Sequence, residues 1–175
     1  MTLTTLLPAL RKSLLDTVRT PRAEARRAAL EAWPAGTELT ADDVLVDRTS
    51  MARLAEHYAT PRVHVPVGAD VTRIDRFWGE APARSVVLAH VEDAVPRLGD
   101  DARQAWLDAD LGGCAALVER ARLVGRESGA PPRRFTLHPA PGRGGPAVLL
   151  PRDLHRGDVL AIPCAGLVEA SDVAR

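Results

Sequence analysis

Three arginines set the chemistry open to this chain. Arg73 and Arg84 lie on neighbouring strand candidates, with Arg76 also available. A guanidinium turned into an otherwise apolar sheet face needs an anionic partner, because an unpaired buried charge is too costly. A bound carboxylate would supply that partner and match the planar fork of arginine. The alternative is an outward arginine on the solvated face of each strand. Alternation puts Arg73 and Asp75 on one face, and Ile74, Arg76 and Trp78 on the other. Both orientations stay open at this level. A second anion-holding group is suggested by Thr49-Ser50-Met51, where a capped helix start would present free N–H groups.

Other chemistries leave weaker traces. The run Gly142-Arg143-Gly144-Gly145 lacks the lysine and helix of a phosphate loop and reads as a hairpin turn. No nucleophile elbow is present. His57, His64, His90, His138 and His155 form no metal-binding spacing. His64 and His138 fall in alternating segments and could face one pocket, though solvent-facing side chains are the commoner outcome. Cys114 and Cys164 match no metal or redox spacing and read as two buried thiols.

The elements that would position these groups follow from periodicity. Residues 3–33 read as two helices, with Leu6, Leu10, Leu14 and Val18 at helical spacing and Thr20-Pro21 between the pair. Their basic residues suit a solvated face, and no base-reading motif accompanies them. Val44–Val46 is a short apolar run. A helix over Met51–Tyr58 is predicted, stopped by Thr60-Pro61. Val63, Val65 and Val67 then alternate with Arg62, His64 and Pro66 as a half-buried strand would. Val71–Trp78 is a second strand, and Arg84–Val91 the strongest, rich in β-branched residues. Helices are predicted around Asp101–Asp108, anchored by Trp106, and over Cys114–Val124, ending at Gly125 as a C-cap. Arg133–His138 and Ala147–Leu150 read as a hairpin, and Val159–Ile162 as a last strand. Hairpin-length connections outnumber helical crossovers. The expected class is therefore α+β, a mainly antiparallel sheet of about five to six strands with helices packed on it.

Composition bounds the partners. The chain has 175 residues, 46% hydrophobic and 26% charged, as one ordinary globular domain would. The expected division is a helical pair over residues 1–37 and an α+β core over residues 38–175. Basic and acidic residues balance at 23 each, so no global field draws nucleic acid or an anionic membrane. Lys12 is the only lysine, so cationic groups elsewhere are guanidiniums. No signal peptide or spanning segment is read at the start, and a cytoplasmic location is expected.

The run Leu45-Val46-Asp47-Arg48-Thr49-Ser50-Met51 and the helix after it resemble the opening segment of chorismate pyruvate-lyases. Further stretches follow in the family's order. Thr72-Arg73-Ile74-Asp75 resembles the strand carrying the substrate-binding arginine, and Glu80 to Val87 the next strand. Ala109-Asp110-Leu111-Gly112 resembles the turn that opens a helix over the pocket. Arg133-Arg134-Phe135 and Gly145 to Leu150 resemble the closing hairpin. The resemblance spans roughly residues 38 to 155.

It implies a chorismate lyase-like fold and a cofactor-free carbon–oxygen lyase. Such an enzyme removes pyruvate from chorismate, or from a related enolpyruvyl or aromatic acid, to leave 4-hydroxybenzoate. Substrate would be held by Arg73, Arg84 and the backbone N–H groups of Met51 and Leu111. Where the family's closing strand carries a glutamate, this chain reads Leu150-Pro151-Arg152-Asp153, so Asp153 is the nearest candidate acid. Kept protonated by burial, it could move a proton. The alternative is a non-catalytic, sensor-like module that binds an aromatic carboxylate on the same fold. A third is an interaction protein docking through the N-terminal helices. No metal, cofactor, nucleic acid or membrane is expected as a partner.

Overall fold

The computed structural model describes residues 28–67, 85–96, 102–139 and 143–175. The greater part of the helical pair expected over 1–37, the strand over Val71–Trp78, Arg73 and Arg84 all lie outside them.

Two sheets build the described fold. A three-stranded sheet comprises β1 (Glu38–Leu39), β2 (Val44–Val46) and β3 (Thr49–Ser50). Asp47 and Arg48 make the two-residue turn between β2 and β3, both at positive φ, as a tight hairpin demands. Helix α1 (Met51–His57) follows at once. The seven-stranded sheet contains β4 (Arg62–His64), β5 (Ser85–Pro96), β6 (Arg103–Leu107), β7 (Arg122–Val124), β8 (Pro132–His138), β9 (Ala147–Pro151) and β10 (Val159–Cys164). Its order is β7-β10-β5-β6-β8-β9, with β4 also on β5. The end strands β7 and β9 approach each other, so the sheet curls into a nearly closed barrel. A short helix α2 (Ala170–Val173) ends the fold.

Strand β5 forms the hub. Its first half pairs with both β4 and β10, and its second half with β6 after a register shift between Val91 and Asp93. Its side chains alternate between two cores. Val87, Ala89 and Val91 point into the barrel with Phe135, Leu137, Leu150, Leu160 and Ile162. Val86 and Leu88 point outward and pack with Trp33, Val44, Val46 and Met51. Both faces are dry, which is why this segment reads as a continuous apolar run.

The α+β class holds, but the sheet is mixed. Strands β6 and β8 pair in parallel, in the register Arg103↔Phe135 to Trp106↔His138. The long connection over 108–131, including β7, makes that crossover sterically feasible. Two expected helices are replaced. Residues 103–107 form β6, and Cys114–Val124 becomes a turn, a 3-10 turn (Val118–Arg120) and strand β7. Gly125 accordingly turns the chain out of a strand instead of capping a helix. The strand after α1 stops at His64, leaving Val65 and Val67 exposed. The hairpin of β8 with β9 and the terminal strand form as expected.

Gly145 is required by close approach. A Cβ there would stand 1.4 Å from the carbonyl oxygen of Leu137, while one on Gly144 would meet nothing within 4 Å. Gly145→Ala should therefore destabilise by about 3 kcal/mol, since the clash is with backbone that cannot yield locally. Gly144→Ala should stay within about 0.5 kcal/mol. Urea unfolding of both variants checks the contrast.

Candidate functional site

The helix start does not offer an open anion site. Ser50 caps α1, its Oγ accepting from the Arg53 N–H at 3.1 Å. The Asp43 carboxylate fills the position an anion would take. Its Oδ1 accepts from the Ala52 N–H at 2.9 Å, and its Oδ2 from the Ser50 hydroxyl at 2.5 Å. Met51 itself is fully buried in the outer core. The Ser50 hydroxyl and Ala52 N–H on either side of Met51, the residue expected to offer its N–H to a substrate carboxylate, are thus taken by the chain's own carboxylate.

The expectation for Asp153 is corrected. It is an exposed surface residue that accepts from the Ser128 hydroxyl at 2.6 Å and from Arg126 at 3.1 Å. The Ser128 hydrogen bond, then the Arg126 guanidinium, hold its carboxyl below the usual carboxylate range. A protonated acid was expected; an ionised ion-pair partner is found.

Leu111 does line a cavity. Leu107, Leu111, Ala116, Val118, Leu137 and Pro146, with neighbouring glycines and Pro139, line a pocket of about 260 Å³ against the inner core. An ion pair flanks this mainly apolar space. Arg143, next to lining residue Gly144, meets Asp110, next to Leu111, at 2.8 Å. Asp110 also accepts from the Gly112 N–H at 2.8 Å, which shapes the turn. Met51 and Leu111 belong to different cores and do not converge.

A second site lies on the outer face of the sheet. Ala52, Ala55 and Glu56 of α1 face Val124–Arg126 and Gly157–Val159 across a cleft of about 280 Å³, with His90 also lining it. Alternation along β5 places His90 on the same face as Val86 and Leu88, under α1. Its Nδ1 lies 2.6 Å from Thr60 Oγ1, and the Thr60 hydroxyl donates to Asp108 Oδ2. Asp108 Oδ1 accepts the His90 backbone N–H at 2.8 Å. With the Thr60 proton given to Asp108, the threonine oxygen can only accept from His90. Nδ1 therefore carries the ring proton, and Nε2 is left as the acceptor.

Arg126 and Asp158 form the opposite wall. The guanidinium donates through Nε and Nη2 to the two Asp158 oxygens, 2.7 Å each, and through Nη2 to the Asp153 carbonyl at 3.0 Å. The paired hydrogen bonds to Asp158 raise the guanidinium's pKa above the ordinary arginine range, so it stays charged. Asp158 also accepts from the His155 N–H at 2.9 Å, so this buried carboxylate is fully engaged.

The remaining histidines do not share a pocket. His64 and His138 sit on β4 and β8, which are not neighbours, and neither lines the cavities above. Burial holds His64 below its usual range, with Nε2 enclosed and unpartnered. His138 stacks on Trp106 at 5.1 Å between centroids. Among the described residues no cluster could hold a metal ion, and no helix is long and apolar enough to cross a membrane. Sequence reasoning missed Thr60, His90, Asp108, Arg126 and Asp158. The Thr60–His90 and Thr60–Asp108 contacts span 30 and 48 residues of chain, so no local spacing betrays them.

No protein-family model matches the chain. No curated protein matches it either. Among solved structures, it is similar to the arginine decarboxylase of Paramecium bursaria Chlorella virus, with 17% identity and a TM-score of 0.37. The agmatine-bound form of that enzyme gives 15% identity and the same TM-score. Each match covers 53% of this chain and 29% of the viral chain, so the likeness reaches under a third of that protein.

Two measurements test the site. Nitrogen-15 NMR should find His90 in the Nδ1–H tautomer, and Thr60→Val should abolish that preference; an Nε2–H tautomer in the intact chain would refute the hydrogen-bond order derived above. Arg126→Ala should cost about 3 kcal/mol or more in urea unfolding, because it strands a buried Asp158 carboxylate. Asp153→Asn, changing only an exposed partner, should cost much less.

Proposed function

We propose that this chain is a non-catalytic module that binds a small aromatic carboxylate, with the ring seated in the cavity beside Leu111. The observation that carries this reading is the mainly apolar pocket of about 260 Å³ with the Asp110–Arg143 ion pair on residues adjoining its lining. An apolar cavity of about 150 Å³ already takes up benzene, so a substituted ring has room. Arg143 is two-thirds exposed and paired with a carboxylate of the turn. A ligand carboxylate could take over that guanidinium with little rearrangement and gain the bidentate geometry. Arg73 and Arg84, the arginines that the resemblance implies as ligands, lie outside the described residues and do not enter this argument.

A binding role fits better than turnover because the candidate acid is missing from the cavity. Asp153 does not line it and is held ionised by Ser128 and Arg126. Loss of pyruvate from chorismate calls for a group that delivers or shuttles a proton near the ether.

Thermal unfolding with 4-hydroxybenzoate, benzoate and chorismate tests the proposal. Saturating ligand at about a hundred times its Kd should raise Tm by about 5 to 10 °C. Leu111→Trp, which fills the space, and Arg143→Ala, which removes the rim cation, should each suppress the shift. Absence of any shift with all three compounds refutes the reading. Formation of 4-hydroxybenzoate from chorismate above the uncatalysed rate would replace it with the lyase reading.

A further inference from the structure

The two cysteines of the chain, 50 positions apart in sequence, meet in the inner core. Cys164 ends β10 and is fully buried; Cys114 sits half-buried in the turn that leads to the 3-10 turn. Two backbone hydrogen bonds hold that turn against β10 and make the bridge between Ala116 and Cys164: the Leu117 N–H donates to the Pro163 carbonyl at 2.8 Å, and the Ala165 N–H donates to the Ala115 carbonyl at 2.9 Å. On its other side the turn is locked to α2. The Asp110 N–H donates to the Val173 carbonyl at 3.0 Å, and a Cβ on Gly113 would lie only 2.6 Å from the Asp172 carbonyl oxygen. Antiparallel pairing of Ala116 with Cys164 sets Cys114, two residues before Ala116, diagonally beside Cys164 on the same face, and both pack in the inner core.

The pair is also unequal in acidity. The neighbouring Cys164 thiol holds Cys114 below its ordinary value, and the same coupling, with burial, pushes Cys164 up. Each thiol donates to a backbone carbonyl, Cys114 to Leu111 at 3.5 Å and Cys164 to Ile162 at 3.8 Å. The more acidic sulfur is also the more accessible one, the usual division between an attacking and a resolving thiol.

We propose that Cys114 and Cys164 form a reversible oxidation site, closed to an intramolecular disulfide by a small hydroperoxide. The Cys114 thiolate attacks the peroxide, forming a sulfur–oxygen bond and breaking the oxygen–oxygen bond. The hydroxide released takes up the proton that left Cys114 and departs as water, leaving a sulfenic acid. The Cys164 sulfur then attacks Cys114. The sulfur–sulfur bond forms, the sulfur–oxygen bond breaks, and the Cys164 proton leaves with the hydroxyl as a second water. Two electrons pass from the two thiols to the peroxide, and a small dithiol reverses the change.

The test uses the full chain with hydrogen peroxide, read by intact mass and by thiol titration after denaturation. The expected result is a monomer lighter by two hydrogens, with no free thiol, restored by dithiothreitol. Its Tm should be several degrees higher than that of the reduced chain, because the bond closes a long loop. Cys164→Ser should instead accumulate a dimedone-reactive sulfenic acid at Cys114, and Cys114→Ser should resist mild peroxide. Two thiols still titratable after oxidation of the wild-type chain, or oxygen added at Cys114 while Cys164 stays free, overturns the proposal. So does a product that is only a disulfide-linked dimer. The wild-type mass decides the matter even if a variant fails to fold.

Discussion

The described fold depends on one strand having no wet face. From Ser85 to Ala89 every residue of β5 is fully buried. Odd positions close the barrel and even positions seat α1 and the small sheet. Each valine or leucine fully buried there contributes roughly 1.5 to 3 kcal/mol relative to exposure. A slip of one residue would exchange the two sets. The partners resist such a slip: β10 on one edge is paired from Ser85 to His90, and β4 on the other from Val86 to Leu88. The register shift between Val91 and Asp93 marks where the strand leaves this sandwiched environment and takes β6 as partner.

The polar groups sit where that apolar regime ends. His90 is the first residue of β5 after the fully buried run, and Asp108 follows the last residue of β6. Asp108 replaces a ladder contact by accepting the His90 N–H, while its own N–H donates to the His90 carbonyl at 3.1 Å. The same carboxylate thus splices two strands and, through Thr60, sets a ring tautomer. Asp158 does comparable work at the start of β10. Its carbonyl accepts from the Val91 N–H at 2.8 Å, and its side chain anchors Arg126 just beyond β7. Both are buried or half-buried carboxylates with their oxygens engaged, the condition under which such groups are tolerated.

How much of this was legible depended on whether the signal was local. The strand at Arg84–Val91 and the cap at Ser50 were readable because β-branched density and a hydroxyl before a helix act within a few residues. The segments around Ala105 and over Cys114–Val124 were misread because alanine, leucine, glutamate and arginine carry helical propensity. Tertiary pairing overrides it: Leu123 and Val124 gain more as neighbours of Leu160 and Val159 in β10 than a short, partly solvated helix would give them. The anion expected at the helix start was chemically sound, but Asp43, nine positions before Ala52, already occupies it. Arg126 was unreadable as a functional group because its two carboxylates lie 27 and 32 positions downstream.

The two-faced strand also sorts the chemistry available to ligands. The pocket beside Leu111 has an aliphatic lining, with the Asp110–Arg143 ion pair next to it, while Arg103 on the inner face of β6 lies over the Phe135 ring. A ligand in that pocket must bring an apolar body and can present charge only at one end. Outside, the cleft under α1 combines the free nitrogen of His90 with Glu56 and with an arginine already committed to Asp158. That surface offers acceptors more than donors, and suits small polar groups carrying N–H or O–H. The two cavities sit on opposite faces of one sheet and use no residue in common. A substitution that fills one should leave the other intact, which makes an aromatic acid's choice between them a direct reading of which face of β5 the ligand occupies.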